Sequence, residues 1–333
     1  MAKITWNLLG QKERQSNKKA MFIDVAKAWL DVKKLSVKKS TYARYKASLE
    51  LHILPSLNKY PAKKITSVNI NKFANEKLEN GRLDKKGGLS ASTVHGMLSI
   101  IKSILDYALD TKKISSPVCV KYPKCRSQKT RVLSMEEQAL LESYWTHDIN
   151  IYKLGKLLCL YTGIRIGELC ALRWEDISFE RGTITISKTM QRVKDSSDGS
   201  KTKIEIGTPK SQSSVRIIPL PKFLACLIKE HVKEKQGFFL ATKQGGYTEP
   251  RTMQYHFARA IRLLNIPDAN FHALRHTFAT RCIEAGVDSK SLSEILGHSN
   301  VNITLNRYVH SSFEQKYKCI RRLEEYVRSQ QAR

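Results

Sequence analysis

Arg165, Lys210, His272, Arg275, His298 and Tyr308 follow one another through the second half of a 333-residue chain. Together they offer two guanidinium groups, an ammonium, two imidazoles and a phenol. A phosphodiester under attack gathers negative charge on its non-bridging oxygens, and fixed donors aimed at that charge lower the barrier. Arginine suits this task because its planar fork matches a phosphate edge, whereas lysine offers only a point charge. Tyr308 is the candidate nucleophile. A tyrosine hydroxyl has an ordinary pKa of about 10, so it needs a proton acceptor or strong positive potential beside it. His272 fits as the acceptor, because histidine titrates close to neutrality. These parts suffice to break and rejoin a phosphodiester with neither metal nor ATP. The sequence shows no carboxylate cluster suited to Mg²⁺, so neither a metal site nor a cofactor is expected.

Taken singly, each signal is weak. In HALRHTFATRCIEAG, His272 and Arg275 stand three apart and share a helix face, a spacing that surface pairs use equally often. His276 lies one turn from His272 and is read as structural. In YTGIRIGELCAL, Arg165 follows Gly163 and Glu168 comes three residues later, as in any salt-bridged helix start. LGHSNVNITLNRYVH sets His298 after a glycine and Tyr308 ten residues on, and a tyrosine at helical spacing is core more often than nucleophile. Lys188, Lys201 and Lys203 compete with Lys210 in the same β-rich region.

The elements that must position these residues fall into two parts. Residues 1–19 are a short basic leader. Over 20–112 the pattern is helical. Phe22, Val25, Trp29 and Leu30 form one stripe, and Tyr42, Tyr45 and Leu49 form another after a Ser40 cap. A third helix stops at Gly81, and a fourth carries Val94, Ile101, Leu105 and Ala108. This is a small helical bundle. Lys33, Lys34, Lys38, Lys39, Arg44 and Lys46 crowd its first connection, a candidate phosphate-contacting edge. Residues 113–131 hold Lys121, Lys124 and Arg126 with two prolines and no acidic residue, which predicts an extended basic linker. Residues 132–333 open on a capping box, Ser134 with Glu137. They continue through short β-rich pieces (GTITIS, KIEIG, SVRIIPL) with DSSDGS as a hairpin tip, and return to helix after Pro221. The expected fold is mainly α, with a helical N-terminal domain and a mixed domain carrying a small antiparallel sheet.

Bulk composition points to the partner. Lys plus Arg number 58 against 30 Asp plus Glu, a formal net charge of +28. An excess of this size favours nucleic acid, bound tightly but salt-sensitively and without sequence preference of its own. The seven cysteines form no CxxC pair and are read as reduced core residues. No signal-peptide core or apolar run of membrane-spanning length is present, so a cytoplasmic, nucleoid-associated protein is expected.

In combination, the segments TGIRIGEL, TPKSQSSVRIIPL, HALRHTFAT, LGHSNVNIT and NRYVH resemble the tyrosine recombinase, or phage integrase, family in order and near its spacings. The resemblance covers about residues 20–330. It implies a helical core-binding domain followed by a catalytic domain. Arg165 and Arg275 would hold the scissile phosphate, His298 would donate to it, and Lys210 would protonate the leaving 5′-oxygen from a mobile hairpin. Glu168 would orient the site from behind. It further implies a 3′-phosphotyrosyl intermediate, a four-way junction, double-stranded DNA at recombination sites, a homotetramer, and in some members a DNA-bending accessory protein. In SSFEQKYKCIRRLEEYVRSQ, Phe313, Tyr317, Ile320, Leu323 and Tyr326 make an apolar stripe. It packs either on its own domain or, as the resemblance implies, on a neighbouring protomer. Many such integrases carry an arm-binding domain ahead of the core-binding domain. Only about 20 residues precede it here, which implies simple sites or a short form of the enzyme. A phage or integrative element is the expected source. A dimer-resolving recombinase, a type IB topoisomerase-like enzyme and a DNA binder without catalysis are the rivals.

Overall fold

The computed structural model describes residues 20–125, 131–193, 202–209, 212–232, 236–242, 244–308, 317, 320, 321, 323–325, 327 and 328. The leader, Arg126, the DSSDGS tip, Lys210, Phe313, Cys319 and Tyr326 lie outside the described residues. The chain divides into two compact units, residues 1–128 with 193–203, and residues 129–192 with 204–333.

The first unit is built from α1 (Phe22–Ser36), α2 (Lys39–Ser48), a π-helical stretch over Leu49–Ile53, α3 (Leu54–Leu57), α4 (Ser67–Asn80) and α5 (Ala91–Asp110). Its core gathers Phe22, Trp29, Leu49, Ile53, Phe73, Val94, Ile101, Leu105 and Ala108, the stripes that the helical periodicity predicts. Gly81 ends α4 as expected. Its start is fixed by Thr66 and Asn69, which cap each other reciprocally. The Ser40 cap is corrected: α2 begins two residues earlier, with Lys38 at the cap position and no side-chain cap bond. The linker is corrected in part. Ile114 is buried, and Val118 and Val120 pack on the same core, so apolar residues tie the start of the segment to the first unit.

The second unit begins at α6 (Met135–Thr146), where Ser134 accepts from Glu137 N–H and the Glu137 carboxylate accepts from Ser134 N–H, the predicted box. There follow α7 (Ile151–Thr162), α8 (Ile166–Ala171), β1 (Ile177–Ser178), β2 (Thr183–Ile186), β3 (Thr189–Val193), β4 (Lys203–Gly207) and β5 (Arg216–Pro219). The helical remainder is α9 (Lys222–His231), α10 (Pro250–Leu263), α11 (His272–Glu284), α12 (Ser289–Leu296) and α13 (Val301–Tyr308). The strands form an antiparallel sheet in the order β1-β2-β5 and a separate β3-β4 ribbon. The two-residue β1 and the strand β3 escaped the sequence reading, β1 because so short a run carries no period. The β2–β5 register pairs Ile184 with Ile218 and Ile186 with Arg216. Residues 216 and 218 therefore share one face.

The cysteines are corrected as well. Cys159 and Cys170 are buried and Cys282 is half-buried, but Cys119, Cys125 and Cys226 are exposed. On α9 the buried positions are Leu224 and Ile228, and Cys226 between them falls on the outer side. Among the described residues no helix is long and apolar enough to cross a membrane.

Candidate active site

The site is organised by the C-terminal end of α12. The last carbonyls of a helix have no intrahelical partners and carry the negative end of its dipole. Here three of them in a row each accept from a different arginine. Ile295 O accepts from Arg216 Nε at 2.6 Å, Leu296 O from Arg275 Nη2 at 2.8 Å, and Gly297 O from Arg165 Nη2 at 3.4 Å. The three side chains arrive from β5, α11 and the start of α8. A cation in a partly buried place at a helix C-terminus is stabilised by up to about 2 kcal/mol, so one helix end gathers the positive charge of three distant segments.

Two glycines make this possible. Gly163 closes α7 at φ 65°, and its carbonyl accepts from Arg275 Nη1 at 2.7 Å. A Cβ on Gly163 would stand 2.5 Å from the Phe278 ring and 2.8 Å from Leu296, so no other residue fits. Gly297 closes α12 at φ 66°, and a Cβ there would press on the Arg216 guanidinium at 3.0 Å.

Arg165 is the N-cap residue of α8. Glu168, three residues on, turns back so that its Oε2 accepts from Arg165 N–H at 2.9 Å and its Oε1 from Arg165 Nη1 at 2.8 Å. The predicted pair thus forms as a cap across the helix start rather than along one helix face. Arg165 remains 37% exposed in its side chain while Glu168 is 2% exposed, so the arginine alone faces outward. Glu168 also takes a fork from Arg216, Nη1 to Oε1 at 3.2 Å and Nη2 to Oε2 at 2.9 Å. Burial pushes the Glu168 carboxyl up. The Arg216 bonds and charge, joined by the Arg165 charge and N–H, outweigh that and hold it below the usual carboxylate range.

Arg275 is 3% exposed, held by Gly163 O and Leu296 O, and its Nη2 lies 3.0 Å from His298 Nε2. On the other side of that ring, His298 Nδ1 lies 2.8 Å from Thr304 Oγ1. His272 is the first residue of α11, with its N–H donating to Asn270 Oδ1 at 3.0 Å. It is exposed, and its ring meets the buried His276 edge-on at a centroid distance of 4.5 Å. Tyr308 is the last residue of α13. Its side chain, like the whole of Lys210, lies outside the described residues.

The structure thus brings Arg165, Glu168, Arg275 and His298 into one bonded network, with His272 on the same helix as Arg275. The basic residues of the first unit are on its surface. Lys34, Lys38, Lys39, Arg44, Lys121 and Lys124 are exposed. Lys33 lies over the Trp29 ring at 5.8 Å, Arg44 over Tyr45 at 5.5 Å, and Lys46 stands 4.0 Å from Glu50. Two network members were missed by the sequence reading, Arg216 and Thr304. A signal for Arg216 existed. It shares a face with buried Ile218, while Ile217 between them is 66% exposed. An arginine on the inner face and an isoleucine on the outer one invert the usual strand pattern.

Comparison with known proteins identifies the family. Residues 131–315 match the model of the phage integrase family, and residues 21–78 match the phage integrase N-terminal SAM-like domain. A XerC-like tyrosine recombinase of Caldanaerobacter subterraneus is 26% identical over 90% of this chain and 82% of its own length. The ICEBs1 integrase of Bacillus subtilis is 24% identical over 90% of this chain and 82% of its own. In fold, the Tn1549 transposon integrase in complex with a circular intermediate DNA superposes with a TM-score of 0.75 at 22% identity, covering 91% of this chain and 99% of that one. A lambda integrase tetramer bound to a Holliday junction superposes at 0.63 and 17% identity, covering 93% and 84%. With the family model spanning more than half of its residues, the chain belongs to the phage integrase family and is a tyrosine-type site-specific recombinase.

Proposed function

We propose that this recombinase cuts and rejoins DNA strands at the recombination sites of a phage or integrative mobile element through a 3′-phosphotyrosyl link on Tyr308. The observation that carries the reading is the arginine cradle at the end of α12. Arg165 and Arg275 come from segments 110 residues apart, and their guanidinium groups bond successive carbonyls, Gly297 and Leu296. His298 follows directly, and the helix ending in Tyr308 begins three residues later. In this scheme the two guanidiniums and His298 bind the non-bridging oxygens, and Glu168 with Arg216 holds Arg165 in place. His272 accepts the tyrosyl proton, and Lys210 protonates the leaving 5′-oxygen. The phosphotyrosyl link preserves the bond energy, so attack by another strand's 5′-hydroxyl reverses it without ATP. The same charges come from side chains, so the scheme calls on no metal.

Residues 20–112 act as the core-binding domain, 113–131 as the basic connection and 132–333 as the catalytic domain, together engaging double-stranded DNA. Exchange of two strand pairs in turn passes through a four-way junction held by a homotetramer, with an accessory protein bending the DNA at some sites. Tyr317, Ile320 and Leu323 are 58–64% exposed, which supports docking of the C-terminal stripe on a neighbouring protomer. Resolution of replicon dimers by the same chemistry is the second reading.

The test is a covalent adduct. Full-length protein is incubated in EDTA with nicked duplexes drawn from the regions flanking its gene, then denatured in detergent. A shifted band that disappears in Tyr308→Phe is expected. Equal relaxation of any supercoiled plasmid would instead indicate a topoisomerase, and salt-sensitive binding without an adduct on any flanking duplex would indicate a binder.

A further inference from the structure

The His298 ring is held at both nitrogens. Nε2 lies 3.0 Å from Arg275 Nη2, and Nδ1 lies 2.8 Å from the hydroxyl of Thr304, a fully buried residue of α13. A guanidinium only donates. Nε2 therefore accepts in this state, the ring proton sits on Nδ1, and Thr304 is its acceptor. During strand cleavage as proposed above, His298 Nε2 has to donate to a phosphate oxygen. The phosphate then takes over as acceptor for Arg275, and Nε2 gains a proton from water. The Nδ1 proton either stays, leaving an imidazolium that still donates to Thr304, or returns to water, after which Thr304 turns its own proton toward the bare Nδ1. A hydroxyl is both donor and acceptor, so it serves every one of these states without the ring turning. A carboxylate, which only accepts when ionised, would serve only some of them.

We infer that Thr304 is a positioning residue, which holds His298 in one orientation through its change from acceptor to donor. The same bond fastens the helix that ends in Tyr308 to the arginine cradle, because Thr304 stands one turn before Tyr308 in α13. The inference rests on the strand-cleavage reading.

Thr304→Val keeps the shape and removes the hydroxyl, while Thr304→Ser keeps the hydroxyl. In single-turnover cleavage of a nicked duplex, Thr304→Val loses activity on the order of 10–100-fold, the scale on which histidine-orienting partners matter elsewhere. Its DNA affinity stays at the wild-type level and its melting temperature falls by no more than a few degrees, while Thr304→Ser stays within a few-fold of wild type. In a His298→Gln background Thr304→Val adds no further loss, since it acts through the ring. Histidine-selective ¹⁵N NMR of the DNA-free full chain, assigned with His298→Gln, shows His298 protonated at Nδ1, and this readout does not depend on cleavage. Wild-type cleavage by Thr304→Val, an additive loss in the His298→Gln background, equal losses in both variants with lowered melting, or a ring protonated only at Nε2 would each overturn the inference. If wild-type protein forms no adduct, the cleavage reading fails and takes the inference with it, while the NMR result still reports on the bond.

Discussion

The two units use positive charge in opposite ways. Among the described residues, every buried polar or charged side chain (Lys156, Thr162, Glu168, Ser214, Thr248, Arg275, His276, Thr277, Ser293 and Thr304) belongs to the second unit. The first unit buries an entirely apolar set and leaves its lysines and arginines at the surface. Surface cations are hydrated, mobile and screened by salt within about 8–10 Å. They attract a polyanion without fixing any atom of it. Cations held against helix carbonyls and a buried carboxylate have already lost their freedom, so they can meet a developing charge without reorganising. Under the proposed function, one unit would hold DNA and the other would aim at one phosphate in it.

The largest test of this contrast is Arg216. Removing one partner of a buried ion pair costs up to about 3–5 kcal/mol, an upper bound here because Arg165 still bonds Glu168. Arg216→Met should lower the unfolding free energy by up to that amount in urea denaturation, and Arg216→Met with Glu168→Leu should recover most of it. The Glu168 pair also sets an acid limit. Its carboxyl sits below the ordinary range when folded, so the unfolded chain binds the extra proton as pH falls. The stabilisation is therefore complete above about pH 4.3 and is lost as pH drops from there through the folded value. Glu168→Gln should flatten that part of the pH–stability curve.

Next in size is Arg275→Lys, which keeps the charge and removes the fork. A lysine cannot reach all the partners that Arg275 holds among the described residues, which include Gly163 O, Leu296 O and His298. Single-turnover cleavage should fall by about 10²–10³-fold, with DNA affinity changed only slightly. An unchanged cleavage rate would mean that charge alone suffices and that the buried geometry contributes nothing.

Lys156 sharpens the comparison from a different side. It is 3% exposed and lies over the Trp145 ring at 5.8 Å. Burial, with the nearby Lys153 charge, pushes its ammonium down to about 8. Between that value and the ordinary lysine range near 10.4 the unfolded state holds more protons, so stability rises with pH across this window. Lys156→Met should stabilise the protein at pH 7 by up to roughly 3 kcal/mol, at 1.36 kcal/mol per pKa unit, and the gain should shrink as pH approaches 10. Thermal melts at pH 7 and 9.5 measure it. Lys156, buried over a ring, would then be a cost, unlike Arg216 and Arg275, whose hydrogen-bond acceptors satisfy them.

Much of this was legible in the sequence, for identifiable reasons. The apolar stripes of α1, α4 and α5 repeat at helical spacing over many residues, and the Ser134–Glu137 box and the stop at Gly81 depend only on neighbours. Arg165, Arg275 and His298 stand out through chemistry rare in combination. What stayed hidden depends on contacts between distant segments. Arg216 joins Glu168 across 48 residues and Ile295 across 79. Thr304 matters only because α13 folds back on His298. The Ser40 cap failed because α2 starts at Lys39 without any side-chain cap. Strand β1 has two residues and exists through its pairing with β2.

The smallest expected effects belong to the first unit, and their smallness is the point. Lys38→Ala and Lys39→Ala remove exposed charges at the start of α2. Both side chains are exposed, so each change should alter stability by less than about 0.5 kcal/mol. If each lysine neutralises one phosphate, its removal weakens binding to every duplex alike. It should also reduce the slope of log affinity against log salt by about 0.9. Cleavage at saturating protein should not change, because no reacting atom is held by these residues. Fluorescence anisotropy across a salt series measures the slope, and single-turnover cleavage at saturation measures the rest. A changed cleavage rate with an unchanged slope would reverse the assignment, placing these lysines in the organisation of the reactive phosphate rather than in the capture of the helix.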